Sequence, residues 1–92
     1  MWYYICPMVK LLDFWAPWCG PCRIMNPIIE ELEKELGDKI SVEKINVDEN
    51  QELASKYSVM SIPTYIIMKD DAEVGRKIGV TNKADLLKLL QS

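Results

Sequence analysis

The sequence predicts an α/β fold, with a central mixed β-sheet flanked by helices and the elements in the order β-α-β-α-β-β-α. Three observations support this prediction. Strand-like apolar runs alternate with helical apolar stripes, a charged turn separates two strand-like segments late in the chain, and the last segment is a leucine-rich helix. The length of 92 residues predicts a single domain over residues 1–92.

The first strand and the first helix are the most clearly marked elements. Residues 8–15 form an apolar run broken by two charges, which is typical of a strand buried on both faces. From Pro21 the apolar residues recur at helical spacing, and Gly37 follows as a C-cap. Pro27 lies inside this helix and predicts a kink. The apolar stripe consists of Ile24, Met25, Ile28, Ile29, Leu32 and Leu36.

A second strand follows in the alternating, β-branched segment "KISVEKINVD". Because side chains alternate between the two faces of a strand, Ile40, Val42 and Lys44 share one face. Lys44 therefore stands where a third apolar residue is expected.

The remaining elements are shorter. Asp48 and Asn50 are candidate caps for a short helix over "QELASKY". "IPTYIIM" reads as a strand opened by proline, "KDDA" as a turn and "EVGRKIG" as the partner strand of a hairpin. Asn82 can cap the last helix, whose apolar face consists of Leu86, Leu87, Leu89 and Leu90.

Composition excludes several classes of function. Eleven basic and fourteen acidic residues give a net charge of −3 without a basic block, which argues against a nucleic-acid partner. No run approaches the roughly 20 apolar residues of a membrane span. The N-terminus also lacks the basic region and cleavage site of a signal peptide, so we expect a cytoplasmic protein. The absence of histidine excludes Cys-His and Ser-His nucleophiles.

The cysteine pattern carries the chemistry. Cys19 and Cys22 enclose Gly20 and Pro21 where the buried strand gives way to the first helix. The free N–H groups at the helix start favour the thiolate of the first cysteine, which is the nucleophile of disulfide exchange. Pro21 presets the φ of the first helical turn. A zinc site is the alternative, but three cysteines without histidine leave a tetrahedral site one ligand short, so that a carboxylate would have to complete it.

The motif "DFWAPWCGPC", with "IPT" about forty residues later, resembles the thioredoxin family. The resemblance runs without gaps from Val9 to Leu90 and includes Lys44 and the late Gly79. It implies a thioredoxin-like fold. It also implies a protein-disulfide reductase in which Cys19 attacks a substrate disulfide and Cys22 resolves the mixed disulfide.

Asp13 is a carboxylate inside an apolar strand, where burial would raise its pKa. The resemblance implies that Asp13 accepts the proton of Cys22, with Lys44 as its partner. The alternatives are that Asp13 is a strand-end residue reaching water and that Lys44 is an ordinary lysine whose stem packs on apolar surface.

The resemblance also implies a substrate-binding surface. Pro63 would be a cis-proline facing the cysteines, and Ile62 before it would offer backbone groups to an extended substrate segment. Trp18, Gly79 and Val80 would form an apolar rim beside Gly20 and Pro21. Ordinary packing is the alternative for Trp18, and Trp15 is predicted to belong to the core.

The chain departs from the family at its N-terminus. Only seven residues precede Met8, too few for the strand and helix that the family carries there. We therefore expect the strand containing Lys44 to lie at a sheet edge, which favours a homodimer, with residues 2–5 covering exposed apolar surface. Cys6 lies outside the motif; a buried spare thiol, an intermolecular disulfide and regulatory oxidation are its three interpretations.

The resemblance further implies the partners, which are disulfide-containing protein substrates and a thioredoxin reductase. No cofactor is expected in the chain, because electrons from NADPH would arrive only through that reductase. The alternative function is a thioredoxin-like binding module that clamps a partner without redox chemistry.

Overall fold

The computed structural model describes residues 9–70 and 72–91, which form four strands and three α-helices. Their order is the predicted β-α-β-α-β-β-α. The elements are β1 (Val9–Trp15), α1 (Gly20–Leu36), a 3-10 turn (Gly37–Lys39), β2 (Ile40–Asn46), α2 (Gln51–Lys56), β3 (Thr64–Lys69), β4 (Ala72–Ile78) and α3 (Lys83–Gln91). Within these described residues, no helix is long and apolar enough to cross a membrane.

The sheet has the strand order β2-β1-β3-β4 and is mixed, as predicted. β1 pairs in parallel with β2 and antiparallel with β3, and β4 completes an antiparallel hairpin with β3. β1 therefore lies inside the sheet, where its mostly apolar sequence is buried on both faces. Its C-terminal end leads directly into the turn that precedes α1.

One face of the sheet packs against α1 and α3. Its core contains Leu11 and Ile67 from the sheet, Met25 and Ile29 from α1, and Leu86 from α3, each fully buried. The apolar stripe predicted for α1 is confirmed except at Ile24, which is 60% exposed. At about 100° of rotation per residue, Ile24 lies about 120° away from the direction of the buried residues and so faces outward.

The other face packs against α2. Leu12, Phe14, Ile45 and Ile66 are buried there, and the rings of Phe14 and Tyr57 lie with their centroids 5.9 Å apart. Residues 1–8, which include Cys6 and the apolar segment 2–5, lie outside the described residues. Among the strands described, β2 occupies one edge of the sheet.

The helix ends confirm two of the four predicted caps and correct the other two. Asp48 is not the N-cap residue of α2, and its carboxylate accepts from the Trp18 indole instead. Gly37 adopts a positive φ of 50° after α1, and the Asn82 side chain accepts a 2.9 Å hydrogen bond from the Asp85 N–H at the start of α3. The predicted side-chain cap at Asn50 is wrong. Its amide instead donates to the Asn46 carbonyl at 3.0 Å, which fastens the turn after β2 rather than α2.

Candidate active site

Cys19 and Cys22 form a disulfide at the junction between β1 and α1. Their Cα atoms are 5.3 Å apart, because Cys19 is the extended N-cap residue and Cys22 lies in the first helical turn. The Cys19 N–H donates to the Ala16 carbonyl at 3.1 Å, which closes the tight turn after β1. Pro21 occupies the first turn of α1, where a residue without an N–H leaves no orphan donor.

The sulfur of Cys19 lies at the N-terminus of α1. The backbone N–H of Cys22 donates to Cys19 Sγ at 3.2 Å. This contact places a hydrogen-bond donor and the positive end of the helix dipole at the same sulfur, and both favour a thiolate when the disulfide is reduced. The sequence-based prediction for this sulfur is thus matched by a specific contact.

The two cysteines are almost entirely buried, at 4% exposure each. Trp15, Ala16, Val47 and Ile62 pack around them. Trp15 is half-buried against the pair, and its indole Nε1 is a buried donor without a hydrogen-bond partner in the described part of the chain. An apolar surround of this kind confines access to the disulfide to its solvent-facing side.

Asp13 is buried on the face of the sheet that packs against α1, at 3% exposure. Burial raises the pKa of Asp13 from 3.8 to about 6; the charge of Lys44 lowers this pKa and the charge of Glu33 raises it. Lys44 lies directly opposite Asp13 in the register of β1 and β2, so the two predicted partners are neighbours. Lys44 itself is exposed, and no ion pair within 4.0 Å joins it to Asp13 in the described residues.

Two residues near Asp13 were not identified from the sequence. Tyr65 is the cross-strand partner of Asp13 on β3 and is 1% exposed; burial, and then the charge of Asp13, raise the pKa of Tyr65 above its ordinary value. Glu33 reads in the sequence as part of the solvent face of α1. A polar hydroxyl inside the apolar run "TYIIM" was the available signal for Tyr65, whereas Glu33 carried none.

The cis-proline prediction is confirmed, since the Ile62–Pro63 peptide bond is cis. Thr64 Oγ1 donates to the Ser61 carbonyl at 2.6 Å and supports this loop from within. The Gly79 N–H donates to the Pro63 carbonyl at 2.8 Å. The two predicted substrate-contacting segments, 62–63 and 79–80, are therefore joined directly to each other.

The surface around the disulfide is apolar and exposed. Trp18 is 68% exposed, with its indole Nε1 donating to Asp48 at 2.9 Å, and Val80 is 56% exposed. Gly20 and Pro21, at the start of α1 directly after Trp18 and Cys19, are exposed as well. A groove of about 370 Å³ lies beside Trp18 and Ile62, and Met60, which is 94% exposed, lines it. Met60 was missed because an isolated exposed methionine has no sequence signature.

Arg23, the residue after Cys22, stabilises the turn between β1 and α1. Its guanidinium Nη2 donates to the Pro17 carbonyl at 3.1 Å. Five predicted site residues, Trp18, Cys19, Gly20, Pro21 and Cys22, lie together at the junction of β1 and α1. Ile62, Pro63, Gly79 and Val80 lie on the two loops joined beside it.

Comparison with known proteins supports the resemblance found in the sequence. The family model described as Thioredoxin matches residues 7–92. The chain is 54% identical over 82 residues to a thioredoxin of Bacillus subtilis (strain 168), covering 89% of this chain and 79% of that protein. It is 45% identical to a thioredoxin of Rickettsia bellii (strain RML369-C), over 89% and 78% of the two chains.

Solved structures agree with this result. A mutant thioredoxin from Halobacterium salinarum NRC-1 matches with a TM-score of 0.83 and 40% identity, covering 90% of this chain and 72% of that one. A thioredoxin-2 described as a component of the malaria parasite protein secretion machinery matches with a TM-score of 0.88 and 33% identity, covering 96% and 85%.

Proposed function

The chain belongs to the thioredoxin family and is a thiol-disulfide oxidoreductase, and from this premise we propose that it reduces protein disulfides with Cys19 as nucleophile and Cys22 as resolving thiol. One observation carries the division of roles. Cys19 Sγ accepts the Cys22 N–H at the start of α1, and this contact would stabilise a thiolate at Cys19.

In the first step, the Cys19 thiolate attacks one sulfur of a substrate disulfide. A Cys19–substrate disulfide forms, the substrate S–S bond breaks, and the departing sulfur leaves as a thiolate that takes a proton from water. The negative charge moves from Cys19 to the leaving sulfur, so no external oxidant or reductant enters this step.

In the second step, Cys22 loses its proton and attacks Cys19 Sγ. The Cys19–Cys22 disulfide forms and the second substrate sulfur departs as a thiolate. We assign the role of proton acceptor to Asp13. A general base works best when its pKa lies near the pH of the reaction, and the pKa of the buried Asp13 carboxyl is about 6. Lys44 would limit how far burial raises that pKa. The two electrons that reduce the substrate come from the two thiols.

The substrate would dock on the exposed apolar rim. Trp18 and Val80 supply exposed apolar surface, and Gly20 and Pro21 leave the start of α1 without bulky side chains. The backbone of Ile62, next to Pro63, would pair with an extended substrate segment, with Gly79 alongside.

We further propose that a thioredoxin reductase returns electrons to the oxidised pair. The chain would then need no cofactor of its own, because NADPH electrons enter through that partner. A cytoplasmic location fits this role, since protein thiols are kept reduced in the cytosol. We also propose that residues 1–92 act as one domain and that two copies pair along β2, which is an edge of the described sheet. A monomer in sedimentation at high micromolar concentration would exclude the pairing.

Insulin reduction tests the proposed function. The wild-type chain with dithiothreitol should accelerate precipitation of the insulin B chain, and Cys19→Ser should abolish the acceleration. Cys22→Ser, reduced beforehand and mixed with insulin after the dithiothreitol has been removed, should instead accumulate a mixed disulfide through Cys19, visible by mass spectrometry and reversed by added reductant. If the wild type reduces nothing while all three proteins bind a partner equally well, the chain is a binding module and the reductase function is refuted.

A further inference from the structure

A thioether joins α1 to the loop that carries the predicted substrate rim. The backbone N–H of Thr81 donates to Met25 Sδ at 3.5 Å. Met25 is fully buried in the core between α1 and the sheet, so its sulfur has a fixed position. Thr81 is half-buried and belongs to the segment between β4 and α3.

This contact is one of two that fasten the same loop. The Gly79 N–H donates to the Pro63 carbonyl at 2.8 Å, and the Thr81 N–H donates to Met25 two residues later. Val80 lies between the two fastened amides, and its side chain remains 56% exposed. The backbone on both sides of the exposed Val80 is thus held, while its side chain is left free for contact.

The position of Met25 along α1 connects the contact to the active-site disulfide. Met25 lies three residues after Cys22, in the turn of α1 that follows the disulfide. The helix that presents the reactive cysteines therefore also holds the loop that presents Val80. A change in this contact would alter the position of Val80 relative to Cys19 without touching either sulfur.

We propose that Met25 is a positioning residue for protein substrates. Its thioether sulfur holds residues 79–81 in the position in which the Val80 side chain contacts a bound substrate protein. This inference rests on the proposed reductase function. It adds that affinity for a protein substrate depends on an acceptor inside α1. The exchange chemistry at Cys19 does not depend on it, because Met25 contacts neither the reacting sulfurs nor Asp13 in the hydrogen bonds described.

The proposal assigns the positioning role to the hydrogen bond that the Met25 sulfur accepts, and not only to the packing of its apolar side chain. Leucine has nearly the volume of methionine and is generally tolerated in cores. It offers no acceptor, so the Thr81 N–H would lose its partner and the loop would gain states in which that amide reaches water. Met25→Leu therefore separates the hydrogen bond from the packing.

The test compares Met25→Leu with Met68→Leu as the matched control. Met68 is a half-buried methionine of β3 that packs on the opposite face of the sheet. With insulin as substrate, Met25→Leu should raise KM by about three- to fivefold with kcat unchanged, the lower part of the range for one lost hydrogen bond because a thioether is a weak acceptor. The redox potential of the pair should not move, and amide exchange at Thr81 should accelerate by a similar factor. Met68→Leu should leave all four quantities as in the wild type.

Three results would overturn the proposal. One is a KM for insulin in Met25→Leu within about twofold of the wild type. The second is a parallel fall of kcat and shift of potential, which would indicate a general structural defect. The third is a Thr81 amide that exchanges as fast in the wild type as in the variant. Failure of the wild type to reduce insulin would instead refute the reductase function, and the Thr81 exchange comparison would then still decide on the contact.

Discussion

Replacement of Asp13 by asparagine tests the physical account of the buried acid. Asp13 lies in the apolar face between the sheet and α1 at 3% exposure, and no hydrogen bond to its carboxylate occurs among the described residues. A charge in that position loses most of its hydration, and the charge of Lys44 offsets only part of this cost. Asp13→Asn keeps nearly the same shape and removes the ionisation, so we expect the variant to be more stable than the wild type at neutral pH.

The size of the effect follows from the two pKa values. The pKa of Asp13 is about 6 in the folded chain against an ordinary value of 3.8. At about 1.4 kcal/mol for each tenfold change in proton affinity, this difference corresponds to about 3 kcal/mol. Because the folded state holds this proton more tightly than the unfolded state, wild-type stability falls as pH rises from 3.8 to about 6 and stays lower above that range.

The assay is urea unfolding of the oxidised protein at a series of pH values from about 3.5 to about 8. The quantity of interest is the free energy of unfolding of Asp13→Asn minus that of the wild type. It should rise by about 3 kcal/mol across the series and then level off. The cost of burying the asparagine amide does not depend on pH, so it shifts the whole curve without changing its rise. Glu43→Gln removes an exposed acid on β2 and serves as the matched control for the loss of one negative charge.

A difference curve for Asp13→Asn that rises no more than that of the Glu43→Gln control would refute the reasoning, because the Asp13 carboxyl would then have the same proton affinity in the folded and unfolded states. A curve that falls with rising pH would mean that the folded chain stabilises the carboxylate. In that case the assignment of Asp13 as proton acceptor would lose its physical basis.

Three further predictions concern Lys44 and two positions in the scaffold. Lys44→Met removes the cation that lowers the pKa of Asp13, so the pH midpoint for resolution of the mixed disulfide should move above about 6 in single-turnover kinetics; an unmoved profile would contradict the coupling. Ser58 has a φ of 56°, and Ser58→Gly should stabilise the chain by about 1 kcal/mol in urea unfolding, whereas Ser55→Gly inside α2 should destabilise it. Asn82→Ala should cost about 1 kcal/mol, since the Asp85 N–H loses its 2.9 Å acceptor; equal urea midpoints for variant and wild type would exclude a capping role.

The sequence-based predictions were wrong where the folded structure, and not the local sequence pattern, determined what a side chain contacts. A spacing of four residues placed Ile24 in the apolar stripe of α1, but the true period of 3.6 carries it out of the interface. Asn50 is a suitable residue for a cap, yet the Asn46 carbonyl competes for its side chain. In both cases the residue type was compatible with the prediction and the folded geometry selected another outcome.

Local spacing was sufficient for the chemistry of this chain. Two cysteines separated by Gly-Pro, after a buried strand and before a helix, bring one sulfur to a helix N-terminus in any fold that keeps that order. The two-residue period of strands was likewise sufficient to place Lys44 on the same face of β2 as Ile40 and Val42. These inferences hold because each depends on the bonds and angles of a short continuous segment.

The environment of the site required the folded arrangement. The strand register sets Lys44 and Tyr65 on either side of Asp13, and packing joins Gly79 to Pro63 and Thr81 to Met25, which lie 56 positions apart along the chain. No local pattern encodes such pairs. They form because the sheet and the helices on its two faces must bury their apolar residues together. The shape of the resulting core determines which distant groups meet.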